Sequence, residues 1–245
     1  MNSQKFSVTT RIQELNNRLA TNLVSKGVSA EGTETTTELI NKVNDIESGG
    51  TSVINPEWTD WRYFSYYDNR NDLVAKLKYS DTANGKNFSN MFYACSSLTT
   101  IPQLDTSNGT NFGAMFNGCS ALTSILQLST SNGTNFNGMF SVCTALTTIS
   151  LLNMSSMSGT SCINMFYNCT ALENVTFEGT IPVRGNITVF STCPNLTVES
   201  LMSFINALTN MSDTATYTIT IGSTNLAKLT EEQIQIATDK RITLQ

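Results

Sequence analysis

The sequence predicts an α+β repeat solenoid, made of short parallel strands and helical or 3₁₀ turns on a period of about 24 residues, with a small α-helical segment before it and an α/β cap after it. Three observations carry this reading. Cys95, Cys119, Cys143, Cys169 and Cys193 are separated by 24, 24, 26 and 24 residues. A leucine follows each by three positions, at Leu98, Leu122, Leu146, Leu172 and Leu196, and Ile101, Ile125, Ile149 and Val175 stand three further on. Met-Phe precedes the first four cysteines, at Met91-Phe92, Met115-Phe116, Met139-Phe140 and Met165-Phe166, and weakens to Val189-Phe190 before the last.

Composition narrows the function classes. Charged residues are 13% of the 245, about half the usual share, and Ser, Thr, Asn and Gln fill 97 positions in their place. A net charge of −5 without a basic cluster argues against nucleic acid or an anionic membrane as partner. The absence of histidine removes Ser-His-Asp and Cys-His nucleophile systems and mixed Cys/His zinc sites. No stretch has the roughly 18 apolar residues of a membrane span, and Met1 to Arg11 lacks the apolar region of a secretory signal. The expectation is a protein made in a cytosol, with no membrane insertion and no cofactor.

In chain order, residues 1–47 form a helical attachment or oligomerisation segment. Ile12, Leu15, Leu19 and Leu23 recur at helical spacing up to Gly27, and a capping box at Thr35 to Glu38 opens a second helix with Leu39, Val43 and Ile46. Two such helices are too small to fold alone, so they pack across subunits or on a larger assembly. Residues 48–54 are a Gly/Ser linker. Residues 55–86 hold Trp58, Trp61, Tyr63, Phe64, Tyr66 and Tyr67 and a degenerate first repeat with Val74 and Leu77 at the apolar positions. This aromatic cluster reads either as a plug on the first repeat or as a platform on which sugar rings stack.

Residues 87–196 are the repeats. The run C-x-x-L-x-x-I-x-L is an extended segment with its apolar residues in a shared core, and N-F-x-x-M-F is a helical or 3₁₀ turn laying Met and Phe on the same core. One unit cannot bury its apolar face alone, so units stack and each position forms a ladder. Asn-Gly at Asn84-Gly85, Asn108-Gly109 and Asn132-Gly133 supplies the connecting turn through positive φ. The only charged side chain between Phe88 and Leu172 is Asp105, as stacking requires, because equivalent side chains lie about 4.8 Å apart and like charges there repel. The cysteines, Cys162 included, read as small buried hydrophobes, and with no C-x-x-C pair no metal is expected.

Residues 197–245 close the array. Leu201, Phe204, Ile205 and Leu208 recur at helical spacing, Tyr217 to Ile221 alternates as a strand, Thr230 caps a helix with Ile234 and Ala237 inward, and Ile242 to Leu244 is a final strand.

A period of 24 falls in the leucine-rich-repeat range, and the phased Met-Phe, Cys, Leu and Ile over about Tyr63 to Leu196 resemble the BspA-like leucine-rich repeats of bacterial surface adhesins and bacteriophage structural proteins. Residues 12–46 resemble the N-terminal attachment segment of tail proteins from phages of Gram-positive hosts. The resemblance implies a tail, tail-fibre or baseplate component of a tailed phage virion, without enzymatic activity. Its helices would dock to other virion proteins, a homo-oligomer such as a trimer is implied, and the partner outside is a host cell-surface glycan or protein. A bacterial surface adhesin and a ligand-free decoration protein are the rival readings. Binding is expected on the strand face, through Thr100, Ser124, Leu126, Thr148, Ser150, Asn174 and Thr176, or on the aromatic platform of Trp58 and Trp61. Glu173 and Glu178 flank a strand as ordinary surface charge, and no catalytic residue is assigned.

Overall fold

The computed structural model describes residues 59–62, 64, 77, 79–210 and 215–245. The chain divides between Asn55 and Pro56, and all described residues belong to the second unit. The helices expected around Ile12 to Leu23 and Leu39 to Ile46, the linker, Trp58 and Val74 lie outside the described residues.

Three strands share one parallel sheet in the order β1-β2-β3: β1 (Ser124–Ile125), β2 (Thr148–Asn153) and β3 (Asn174–Glu178). Their register is that of the sequence repeat, with Ser124 opposite Thr148 opposite Asn174 and Ile125 opposite Ile149 opposite Val175. The segment one unit earlier, Leu98 to Leu104, buries Leu98, Ile101 and Leu104 without joining the sheet; its Pro102 has no N–H to give to a ladder. The second buried position also differs from the expected one. Leu104, Leu128 and Leu152 fill it, three residues after the isoleucine, whereas Gln103 and Gln127 two residues after it are exposed. Unit four is shorter here, with Phe177 only two residues past Val175, so β2 opposes it with a bulge at Ser150-Leu151.

On the opposite side of each unit the N-F-x-x-M-F stretch is not a helix. The N–H groups of Phe88, Asn90, Phe92 and Ala94 donate to the carbonyls of Asn111, Gly113, Met115 and Asn117 in the next unit, at 2.8, 2.9, 2.9 and 2.6 Å. The intervening Met91, Tyr93 and Cys95 donate back three residues, at 3.1, 3.2 and 3.2 Å. Half of the donors thus bond along the chain and half across to the neighbour. This alternation needs left-handed residues, at Asn90, Ala94, Ala114, Gly118, Gly138, Val142, Asn164 and Asn168, and these prevent a helix. Isolated bridges Asp60–Asn87–Asn111–Asn135 extend the same parallel stacking toward the N-terminus.

Between ribbon and sheet run columns of identical side chains. Phe88, Phe112 and Phe136 stack with centroids 5.7 Å apart, and Phe92, Phe116, Phe140, Phe166 and Phe190 stack at 5.2–5.7 Å. Cys162 takes the place of the phenylalanine that would follow Phe136, and it is buried. The Asn-Gly turns owe their glycine to the first column. Gly85, Gly109 and Gly133 do not have positive φ, contrary to the turn expected there; a Cβ at each would stand 2.2–2.4 Å from the ζ carbon of Phe88, Phe112 or Phe136. Thr82, Thr106 and Thr130 beside these turns are buried and bond to the next unit, as in Asp105 N–H to Thr82 Oγ1 at 2.8 Å and Asn153 N–H to Thr130 Oγ1 at 2.8 Å.

After the last repeat, α1 (Val198–Ala207) packs on β3 with Leu201, Phe204 and Ile205 buried. A second parallel sheet joins β4 (Ile187–Thr188), β5 (Tyr217–Thr220) and β6 (Ile242–Leu244) in that order. Between its strands lie a one-turn helix α2 (Ser223–Leu226) and α3 (Glu231–Asp239). The capping box of α3 pairs Thr230 with Gln233; Ala237 is its buried residue, while Ile234 is half-exposed. The short α2, without a hydrophobic signal, is fixed by Asn225, whose buried Nδ2 donates to the carbonyls of Phe190, Cys193 and Ile221 at 3.1, 3.1 and 2.9 Å.

Candidate binding face

The polar side chains of the stack are of two kinds. One kind is consumed by the fold, each bonding the carbonyl one unit back. Thr110 Oγ1 donates to Lys86 O at 3.1 Å and Thr134 Oγ1 to Thr110 O at 3.0 Å, while Asn108 and Asn132 Nδ2 donate to Ala83 and Ser107 O at 2.8 and 2.7 Å. Ser120 and Thr144 do the same at 3.3 Å. These groups satisfy backbone carbonyls that would otherwise need water.

The other kind lies on the strand face. Thr100, Ser124, Thr148, Ser150 and Thr176 are exposed, and their hydroxyls bond to no other described residue. Asn174 continues the column of Ser124 and Thr148 and accepts from Thr197 Oγ1 at 3.4 Å. Leu126 stands among them 53% exposed, one of three large apolar side chains left open among the described residues. The bulge leaves Ser150 and Leu151 of β2 opposite the single residue Thr176 of β3. Ser124, Thr148 and Asn174 thus stand side by side in register, and Thr100 and Leu126, one repeat before Ser124 and Ser150, are exposed, as are Gln103 and Gln127. Glu173 and Glu178 bound this face at β3, both exposed. From Phe88 to Leu172 its one neighbouring charge is Asp105, which is turned to its own turn: Oδ1 accepts from the N–H and the hydroxyl of Ser107 at 3.0 and 2.6 Å.

The aromatic platform does not form around Trp61. That side chain is 1% exposed, its ring centroid 5.4 Å from Phe64, which in turn meets Phe92 edge-on at 6.4 Å. Trp61 is thus the core plug of the first repeat and cannot stack on a sugar, because burial takes both its faces.

The cysteine column is not a reactive site either. The thiols of Cys119, Cys143, Cys169 and Cys193 donate to the carbonyls of Phe92, Phe116, Phe140 and Phe166 one unit back, at 3.1, 3.1, 2.9 and 3.1 Å. Burial pushes Cys143 and Cys162 up to about 12, and pushes Cys119 higher still. Cys169 is raised by the neighbouring Cys193 thiol and by burial. A thiol so placed stays protonated at neutral pH and is neither nucleophile nor metal ligand.

Two exposed apolar residues lie on the ribbon side, Ile163 at 42% and Tyr167 at 50%. Periodicity does not reveal them, because the preceding unit has Asn137 and Ser141 at the same places.

With this geometry in view, one comparison finds a counterpart. Residues 62–178 match the family model of a Mycoplasma protein of unknown function, DUF285. The matched segment is the repeat region from the degenerate first unit to the end of β3, and this family is related to the BspA-like repeats. No curated protein and no solved structure matches the chain. Among the described residues no helix is long and apolar enough to cross a membrane.

Proposed function

We propose that this chain is a non-enzymatic recognition module, its repeats a leucine-rich-repeat-like solenoid that meets a partner through the strand face. One contrast supports the reading: the side chains that bind the units together spend their donors on the fold, whereas Thr100, Ser124, Thr148, Ser150 and Thr176 keep theirs. The partner suited to such a face is neutral and rich in hydroxyls. An uncharged surface gives no electrostatic steering, and free donors and acceptors recurring about every 4.8 Å suit an extended neutral polysaccharide met sugar by sugar. Leu126 supplies an apolar contact at the centre.

The setting we propose is the virion of a tailed phage, as a tail, tail-fibre or baseplate component. It is made in the host cytoplasm and held to other virion proteins, and in a homo-oligomer, by Ile12, Leu15, Leu19, Leu23, Leu39, Val43 and Ile46. The resemblance of residues 12–46 supports this. A second setting, a bacterial surface adhesin or protein-interaction module using the same face, is compatible with the family match over residues 62–178, which is to a Mycoplasma protein.

The test is binding of the full chain to host cells and to an array of neutral polysaccharides, beside the single variant Thr148→Arg. The variant is expected to lose binding at an unchanged melting temperature, and wild-type binding to be insensitive to salt. Equal binding by both proteins would overturn the assignment of the face. No binding by wild type would leave a ligand-free decoration protein.

A further inference from the structure

The sheet ends at β3, and a helix lies where another strand would lie. Glu173 N–H donates to Thr147 O at 3.0 Å, and one unit later Thr197 N–H donates to Glu173 O at 2.9 Å. There the ladder stops. Thr197 becomes the N-cap of α1, accepting from Ser200 N–H at 3.2 Å. From the first turns of α1, Ser200 Oγ accepts from Val175 N–H at 3.0 Å and donates to Glu173 O at 3.1 Å. Ser203 Oγ accepts from Phe177 N–H at 2.8 Å and donates to Phe177 O at 3.4 Å. These pairs are 25 to 27 residues apart, one repeat unit, so two hydroxyls stand where the backbone of a further strand would stand.

An open strand edge is a template for pairing with another chain, and proteins cover such edges. This cover is a single helix: two serines that bond the edge, Leu201, Phe204 and Ile205 buried beneath it with Phe204 5.2 Å from Phe177 and from Phe190, and a lysine at the far end. Lys240 Nζ donates to the carbonyls of Ile205, Asn206 and Leu208 at 3.0, 2.7 and 2.6 Å, holding the C-terminal end of α1.

We propose that the outer edge of β3 is a strand-addition surface closed by α1, and that the partner it fits is a repeat strand from a second copy of this chain. A partner there must offer backbone groups in parallel register with Val175 and Phe177 and an apolar pair to stack on them. The repeat strand has both, since Ile149 and Leu152 of β2 already meet Val175 and Phe177 on the other edge. While α1 is seated the stack has a fixed end; when it is lifted, copies add end to end.

The experiment uses the full chain with Ser200→Ala/Ser203→Ala, which removes the hydroxyls and their bonds without adding an atom to the buried site. Sedimentation velocity over a concentration series is read together with amide exchange at Val175 and Phe177. In wild type those amides are protected and the size distribution does not grow with concentration. In the variant they exchange at least about tenfold faster when dilute, and species of twice the wild-type mass or more grow with concentration. Faster exchange at an unchanged size distribution would overturn the proposal, because the edge would then be open and attract no second copy. Unchanged exchange would overturn it as well, because the serines would not be the closure. If the double variant does not fold, Lys240→Met loosens α1 from its other end, and the same two outcomes decide.

Discussion

The thiol of Cys143 donates a hydrogen bond to the carbonyl of Phe116 at 3.1 Å, tying the start of one unit to the ring that stacks in the unit before. The same carbonyl already accepts from Cys119 N–H at 3.0 Å, so the thiol proton of Cys143 takes the second lone pair of the carbonyl oxygen. The repeated cysteine therefore fills volume and supplies a donor at once. Cys143→Ala removes both and is expected to cost about 1–3 kcal/mol, read as a lowered urea midpoint at constant m. Cys143→Ser, which keeps the donor, should lose less than Cys143→Ala.

Alkali should unfold the stack through these thiols. Cys119, Cys143, Cys162 and Cys169 have folded pKa values raised above the ordinary value of 9.0. A group raised on folding gives stability that is complete below its unfolded pKa and lost as pH rises toward the folded one. Stability is thus expected to hold to about pH 9 and then fall, each thiol contributing up to about 1.4 kcal/mol per pH unit. Lys228 and Lys240, lowered by burial, act in the opposite direction and are fewer. Urea titrations from pH 8 to 11 measure the slope (these bounds are roughly where thiols titrate), and Cys162→Ala should make it shallower.

Gly109→Ala should be costly although its backbone angle is ordinary. The new Cβ would stand 2.4 Å from the Phe112 ζ carbon and 2.9 Å from the Thr106 carbonyl oxygen. A loss of about 2–4 kcal/mol is expected. In a double-mutant cycle with Phe112→Leu the combined loss should be smaller than the sum, because the leucine vacates the position of the clash. Additive losses would place the strain at Thr106.

Val142 is a β-branched residue at φ 60°. Its equivalents in the neighbouring units are Gly118 and Asn168, both tolerant of that conformation. Val142→Asn is expected to raise stability by about 0.5–1 kcal/mol, seen as a higher melting temperature without a change in strand-face binding.

The repeat was legible because stacking forces like residues onto like positions: Cys, Leu, Ile and the Met-Phe pair recur in phase and all line the core. The strand-face residues were legible for the same reason, being the positions, polar except at Leu126, between buried ones. The ribbon was not, since a chain that alternates own-unit and neighbour-unit hydrogen bonds has a period matching neither helix nor strand. Gly109 carried the wrong explanation because Asn-Gly usually marks positive φ, while here a ring three residues on excludes a Cβ. Trp61 was ambiguous because an aromatic cluster looks alike whether it plugs a core or faces outward. Ser200, Ser203 and Asn225 gave no signal at all: each is a polar residue with a partner 25 to 35 residues away.

The bonds that hold this stack together point, nearly all of them, one unit forward or back, and seldom further. A duplication of residues 119–142 would accordingly find waiting partners on both sides and need no redesign of its interior. Length in such a chain is an inheritable variable, adjustable by recombination in whole modules, while the chemistry presented on each module is free to drift separately.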